Sequence, residues 1–423
     1  MKKLQPELAY RILVGGRGLC LSMIFTASMV YQINRVGLSP LQLVLVGTTL
    51  ELSVFLFEVP TGVVADVYSR RLSLLIGTFL IGLGFIVEGS LPVFSAVLLA
   101  QVLWGVGYTF TSGATQAWIV DEVGETNAGP VFLRGSQIEN VCSLIGVGLS
   151  AALGSVAINL PILAGGGMLM VLAAGLAFSM PENGFVPKVE GGAGGSLMAG
   201  FRAMSQTLRA GIQLVRVHPA LLTIFGIGLF YGLYSEGYDR LSTAHLLKDM
   251  TLPALGGWQP IVWMSLIEVL VSICSFTVAE LVRRRIDMRE VARVTRVLFG
   301  LSALLVGALI GFALAGNFLI AAGLMVLVGV TRSLMGPFYG TWINQRLDSG
   351  VRATVISMSS QVDAIGQIAG GPGVGAIGNT FSIRAALLTS GLILSPVLGL
   401  FAWALRREAV RVVEPSSAIS PSV

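Results

Sequence analysis

The sequence predicts an all-α membrane protein of twelve spanning helices in two six-helix halves. Three observations carry this: the composition, the number of long apolar runs and the placement of the basic residues. Hydrophobic residues make up 54% of the 423-residue chain and charged residues only 12%, with a mean hydropathy of +0.82. A soluble domain carries about 25% charged residues. Lipid satisfies no backbone hydrogen bonds, so a spanning chain must be helical or a closed barrel. The alternation of a barrel strand is absent.

A helix needs about 20 apolar residues to cross the hydrocarbon. Twelve runs qualify: 8–33, 40–64, 72–91, 94–118, 138–158, 160–180, 220–246, 258–282, 294–314, 318–341, 354–378 and 383–405. Arginine and lysine cluster in alternate connections, at Lys2, Lys3 and Arg11, Arg70 and Arg71, Arg134, Lys188 and Arg202 to Arg216, Arg283 to Arg296, Arg346 and Arg352, and Arg406 to Arg411. The opposite connections hold Arg35, Lys248 and Arg384, while Arg17, Arg240 and Arg332 fall inside spans. The positive-inside bias then puts both termini in the cytoplasm, which requires an even number of spans. The net charge of +5 reads as topology, and its scatter over short loops argues against a nucleic-acid partner. Lys2 and Lys3 precede an apolar run too long for a signal-peptide core, so the first span is expected to remain.

The chain divides near its middle. Residues 1–181 form the first half, 182–219 a linker, 220–405 the second half and 406–423 a tail. In the linker, Arg202, Arg209 and Arg216 recur every seven residues among apolar ones, as on a helix lying along a membrane surface. The halves repeat. A shift of 214 carries Gly62, Asp66, Arg70 and Arg71 onto Phe276, Glu280, Arg284 and Arg285, and a shift of 224 carries Gly105, Tyr108 and Trp118 onto Gly329, Arg332 and Trp342. Two coincidences in corresponding places suggest the duplicated halves that transporters use.

A charge at mid-helix costs about 2.5–3.5 kcal/mol on insertion scales, so it needs a partner, water or a function. Arg17 and Glu58 lie at similar depth on antiparallel spans and are expected to pair. Glu88, near one end of its span, reads as wetted, and Glu139 lies just inside the fifth span. The seventh span carries Glu236, Asp239 and Arg240. Glu51, Glu268 and Asp363 sit deeper, where an ionised carboxylate is costly. Glu51, Glu58, Glu268, Asp363, Glu236 and Asp239 are therefore the candidates for exchanging protons in a coupled carrier. Arg332 is suited to holding an anion or to tuning a neighbouring acid.

Other chemistries are set aside. No phosphate-binding G-x(4)-G-K-[ST] motif is present. Cys20, Cys142 and Cys274 lie in apolar spans without disulfide or metal spacing, so no metal is expected. His218 and His245 lie near span ends and read as interfacial, which leaves no catalytic histidine chemistry. The glycine-rich Gly370–Gly375 stretch lies inside a span and reads as close packing. No enzyme activity and no cofactor are expected.

The stretch Gly62-Val-Val-Ala-Asp66-Val-Tyr-Ser-Arg70-Arg71, between the second and third spans, has the spacing G-x(3)-D-x(3)-R-R. It resembles the signature loop of the major facilitator superfamily, and twelve spans in two halves resemble that family's fold over the whole chain. The resemblance implies that Asp66 steadies the cytoplasmic start of the eleventh helix. It also implies that Arg70 pairs with an acid at the inner end of the fourth, for which Asp121 is in place. Four segments, Glu58–Gly62, Ser112–Asp121, Ser235–Arg240 and Arg352–Ser357, resemble the drug- and metabolite-exporting branch related to tetracycline and macrolide pumps. Two features depart from it: Gln101 stands where antiporters of the family carry an arginine, and the fifth span lacks their Gly-Pro signature.

The implied function is proton-driven efflux of an amphipathic drug or metabolite, hence antibiotic resistance, by a monomer in the inner cell membrane. The family's cavity is lined by its first, fourth, seventh and tenth helices, which here carry Met23, Phe25, Gln101, Tyr108, Phe110, Phe230, Tyr234, Met335 and Phe338. These suit an apolar substrate better than a sugar. A lipid or lysolipid flippase is the nearest rival, and a transporter-like sensor is a further one.

Overall fold

The computed structural model describes residues 3–187, 219–253, 257–286, 288–347 and 349–413. The linker helix expected around Arg202–Arg216 lies outside these residues. Fourteen helices are found among them: α1 (Pro6–Asn34), α2 (Pro40–Val67), α3 (Arg70–Ser90), α4 (Phe94–Thr111), α5 (Ala114–Val123), α6 (Glu125–Val156), α7 (Leu160–Ser179), α8 (Pro219–Lys248), α9 (Pro260–Arg285), α10 (Val291–Leu314), α11 (Phe318–Arg346), α12 (Ser349–Thr380), α13 (Ile383–Leu394) and α14 (Pro396–Val413). With α4–α5 and α13–α14 each taken as one broken helix, the twelve expected spans are present, and all-α architecture holds throughout the described residues. Ten spans are long and apolar enough to cross a membrane; α8 and α12 are the other two long helices.

Boundaries differ from the sequence reading in several informative places. The fourth span is interrupted at Ser112–Gly113, where Gly113 adopts φ +69°, a backbone that glycine enters without a Cβ clash. The break lets α5 leave the axis of α4 and carry Asp121. The fifth span begins at Glu125, well before Ile138. The expected loop Gly62–Arg71 is almost wholly helical: α2 runs to Val67 and α3 starts at Arg70. The last helix also continues past Leu405 to Val413, into the expected tail.

The described chain clusters into two compact units, Met1–Ser205 with Leu252–Val269, and Gln206–Thr251 with Leu270–Val423. This division assigns the first part of α9 to the first unit, whereas the sequence division kept the whole span with the second half.

In the first unit α1 packs on α6 and α7, α3 on α4 and α7, and α2 on α4. In the second unit α8 packs on α12, α13 and α14, and α10 on α11, α13 and α14. Most pairings recur, α1 with α6 and α7 as α8 with α12, α13 and α14, and α3 with α4 and α7 as α10 with α11, α13 and α14, whereas the α2–α4 packing has no equally close α9–α11 counterpart. The repeat seen in sequence has a physical counterpart: Gly105 of α4 lies against Ser53 of α2, and Gly329 of α11 lies against Val271 of α9.

Apolar side chains alone do not hold helices together in lipid, so close approach through small residues matters. Gly146 of α6 meets the backbone of Leu19, while Gly15 and Gly18 of α1 meet Ile138 and Glu139. Equivalent contacts join α8 and α12, where Gly232 meets the Asp363 backbone and Gly366 and Gly370 meet Leu229 and Leu233. The glycine-rich stretch of the eleventh span is therefore packing material, as its sequence suggests. Cys20, Cys142 and Cys274 are free thiols. His245, read from sequence as interfacial, is fully buried, with Nδ1 2.7 Å from Asp249 and its ring edge-on to Phe312.

These close approaches predict a pair of contrasting variants. Gly232→Leu would overpack the α8–α12 seam and lower stability by about 1–3 kcal/mol, read as a reduced unfolding temperature of the detergent-solubilised protein. Gly148→Leu, where no neighbouring atom lies within 4 Å, is expected to leave that temperature unchanged.

Candidate functional site

Arg70 is the first residue of α3 and only 8% exposed. A guanidinium so placed needs acceptors on its own unit. It donates through Nη1 to the Asp121 carboxylate and, at 3.0 Å, to the Ala117 carbonyl, both on α5. Asp66, one turn back on α2, lies 3.7 Å from Arg70 Nη2. The three charges that the family resemblance implies, Asp66, Arg70 and Asp121, are thus gathered at one end of the first unit. Gly62 lies on the same last stretch of α2, with open space where its Cβ would be.

The segment after α7 completes this cluster, which sequence reasoning missed by assigning Glu182 to the linker. Ser69 caps α3, accepting from Leu72 N and donating to Glu182 Oε2 at 2.7 Å. Glu182 Oε1 accepts from Arg71 N at 2.9 Å, which sets a carboxylate on the positive end of the α3 dipole. Arg71 itself donates to the Ala177 carbonyl. The Trp118 indole donates to Pro181 O, and Glu122 accepts from the backbone of Asn183 and Gly184. Phe185 lies under the Arg70 guanidinium, 5.8 Å from it. Residues 181–185 therefore strap α3 to α5. The available signal was an acid two residues beyond the end of an apolar run. A recess of about 760 Å³ opens beside the strap, with Arg70, Asp121, Gln116, Tyr10 and Glu139 in its wall.

The echo of this loop in the second unit is weaker. Glu280 accepts from Arg283 and Arg284 of its own helix at 2.7–2.8 Å. Those arginine side chains are exposed, and such pairs contribute little. No cross-helix partner for Arg284 or Arg285 is found among the described residues.

Charges inside the spans are mostly paired, though not always as the sequence suggested. Arg17 does not reach Glu58; it donates to Thr111 Oγ1 at 3.2 Å, and the acid acting on it is Glu139. The close α1–α6 packing explains this, because Glu139 packs against Gly18, one residue from Arg17. Glu58 is exposed on α2 and Glu51 half-buried. Glu88, expected to be wetted, is 0% exposed and holds two amides: Gln32 Nε2 at 2.9 Å and Gln101 Nε2 at 3.3 Å. Gln101 is therefore a buried partner of Glu88 and not a cavity residue.

Glu268, in the part of α9 that belongs to the first unit, accepts from Thr26 Oγ1 of α1 at 2.5 Å. In the second unit Arg332 of α11 grips Asp239 of α8 with both terminal nitrogens, the Nη2–Oδ2 distance being 3.0 Å. The rings of Tyr234 and Tyr238 lie about 6 Å from the same guanidinium. Arg240 Nε donates to the buried Glu236 at 3.4 Å. Asp363 of α12 accepts from Gln367 Nε2 at 2.7 Å.

The expected cavity residues separate by burial. Met23, Tyr234 and Phe338 are packed away in the core; Ser150 donates to the Met23 carbonyl across the α1–α6 seam. Phe25 and Tyr108 are exposed, and Phe110 and Phe230 half-buried. Phe25 stands against Phe85 and Trp104, at ring separations of 5.8 and 4.8 Å. Met335 lines a recess of about 300 Å³ among α8, α11 and α12. Tyr231, Tyr339, Ser359 and Ser360, which share that wall, were not singled out from sequence. The readable signal was Ser359, one helical turn before Asp363. No group of three or more metal-ligating side chains occurs among the described residues.

Comparison with known proteins bears on the whole arrangement. A family model described as Major Facilitator Superfamily matches residues 13–371. A Bacillus subtilis (strain 168) protein, the uncharacterized MFS-type transporter YxaM, is 28% identical over 147 residues, 35% of this chain and 37% of that one. The match thus spans little more than a third of that relative. Solved structures share the fold at low identity. The nucleoside transporter NupG has a TM-score of 0.70 at 13% identity, covering 96% of this chain and 99% of its own. A POT family transporter in complex with 5-aminolevulinic acid has a TM-score of 0.73 at 11% identity, covering 95% and 96%. A bacterial homolog of the human lysosomal transporter Spinster has 0.70 at 14%, covering 95% and 98%. With the paired six-helix scheme and the Arg70–Asp121 contact of the signature segment, the match over 13–371 establishes that this chain belongs to the Major Facilitator Superfamily and is a multi-pass membrane protein.

Proposed function

We propose that this protein exports a small amphipathic drug or metabolite across the cell membrane by proton-driven alternating access. The observation that carries the reading is the recess of about 300 Å³ in the second unit, lined mainly by apolar and aromatic side chains with the single carboxylate of Asp363. Such a lining suits a molecule that is mostly apolar with one polar feature. It is poor in the donors and acceptors a sugar would need.

Proton coupling is assigned to two acids set deep within their spans, where an ionised carboxylate is costly. Glu268, opposite the Thr26 hydroxyl, is the first of these, and Asp363, beside the Gln367 amide, is the second. Asp239 and Glu236, each engaged by an arginine, serve as structural pairs. The cluster around Arg70, Asp121 and Asp66 acts as the conformational latch at the cytoplasmic end. The basic bias of the connections places both termini in the cytoplasm, and the protein works as a monomer in the inner membrane.

Expression in an efflux-deficient host should raise resistance to at least one amphipathic antibiotic, and a protonophore should abolish the gain. A flat panel removes the drug-export reading. In inverted vesicles, Glu268→Gln should reduce gradient-driven uptake to the level of empty vesicles while counterflow of labelled substrate persists. Loss of both would make Glu268 a binding or packing residue and not a coupling one.

A further inference from the structure

We propose that the recess among α8, α11 and α12 binds the charged head of an organic cation, with Asp363 as its counter-ion. The proposal deepens the export reading and rests on it for the substrate's passage, but binding at the recess is a separate, measurable property.

The charges of the second unit point to this residue. Arg332 is gripped by Asp239, and Arg240 is paired with Glu236. Asp363, by contrast, has only the Gln367 amide as a hydrogen-bond partner among the described residues, one turn away on its own helix; Arg332, the cation whose charge acts on it, is already gripped by Asp239. A carboxylate at such depth is costly without a positive partner. A ligand cation entering the recess would supply that partner.

The walls match the same ligand. Tyr231 and Tyr339 line the recess, yet their hydroxyls are engaged elsewhere: Tyr339 Oη donates to Ile224 O at 2.9 Å, and Tyr231 Oη lies 3.4 Å from Ser302 Oγ. What they offer a ligand is ring surface, which attracts alkylammonium groups. Ser360 Oγ is likewise turned to its own helix, donating to Ile356 O at 3.2 Å. No basic side chain lines the recess, so an anion has nothing to hold it. The volume of about 300 Å³ is at the small end of ligand sites. It accommodates a head group with one ring, leaving a longer tail outside.

The site is also stiff. Gly232 lies directly against the Asp363 backbone and Gly228 against Ser359, which fixes the carboxylate relative to α8. A preformed counter-ion avoids part of the ordering cost of binding.

The test uses the full-length protein in lipid nanodiscs and two probes of equal shape. Labelled benzyltrimethylammonium carries a fixed charge; neopentylbenzene is its neutral isostere. Wild-type protein should prefer the cation by about tenfold or more. Asp363→Asn should remove that preference, leave the isostere unchanged and keep its unfolding temperature, and Asp363→Glu should retain most of the preference. Equal binding of both probes by the wild type, or an unaltered preference in Asp363→Asn, overturns the proposal. The two readings fail separately. Asp363-dependent binding without gradient-driven transport would leave the site and remove export. Gradient-driven export of neutral amphipaths, with no benzyltrimethylammonium binding, would do the reverse.

Discussion

The ion pair between Arg70 and Asp121 is the constraint on which the first unit depends. A largely buried guanidinium at the start of a helix would be strongly destabilising without an acceptor, since removing one partner leaves an uncompensated charge. Meeting that need sets several features at once. Gly113 breaks the fourth span so that α5 can present Asp121. The turn between α2 and α3 shrinks to Tyr68 and Ser69. Residues 181–185 fold back over the pair, and Glu182 closes the α3 N-terminus. The cluster is shared: α2, α3, α5 and the segment after α7 all contact one set of charges.

The same economy governs the spans. Glycines bring α1 to α6 and α8 to α12 at backbone distance, and across the α1–α6 seam Ser22 and Ser150 donate to the Ser143 and Met23 carbonyls. Polar side chains also find partners between other helices. Thr26 reaches Glu268, Gln32 and Gln101 reach Glu88, and Arg332 reaches Asp239. Where cross-helix pairing is complete, the groups hold the structure. Asp363 is different: its hydrogen bond is to the amide of Gln367 on its own helix and not to a residue of a neighbouring one.

Fold class was legible in the sequence because lipid leaves few options: apolar length fixes helix number, and the 214- and 224-residue shifts locate the repeat. The Arg70–Asp121 pairing was legible because the resemblance to the superfamily implies it. Partners of single buried charges were not. Arg17 was assigned to Glu58 on matched depth, but depth says nothing of azimuth, and the α1–α6 packing at Gly18 brings Glu139 to it instead. Glu88 was read as wetted because its two amide partners lie 56 and 13 residues away. Aromatic residues on cavity-lining helices were likewise ambiguous, since Met23 and Phe338 turn into the core while Tyr231 and Tyr339 line the recess.

The account stands or falls on whether Arg70 and Asp121 act as a unit. A double-mutant cycle with Arg70→Gln and Asp121→Asn, read on unfolding of the purified protein, measures this directly. The predicted result is a coupling of about 1–3 kcal/mol, the second substitution costing little once the first is made. Additive effects within about 0.5 kcal/mol would contradict the account and reduce the cluster to independent surface charges.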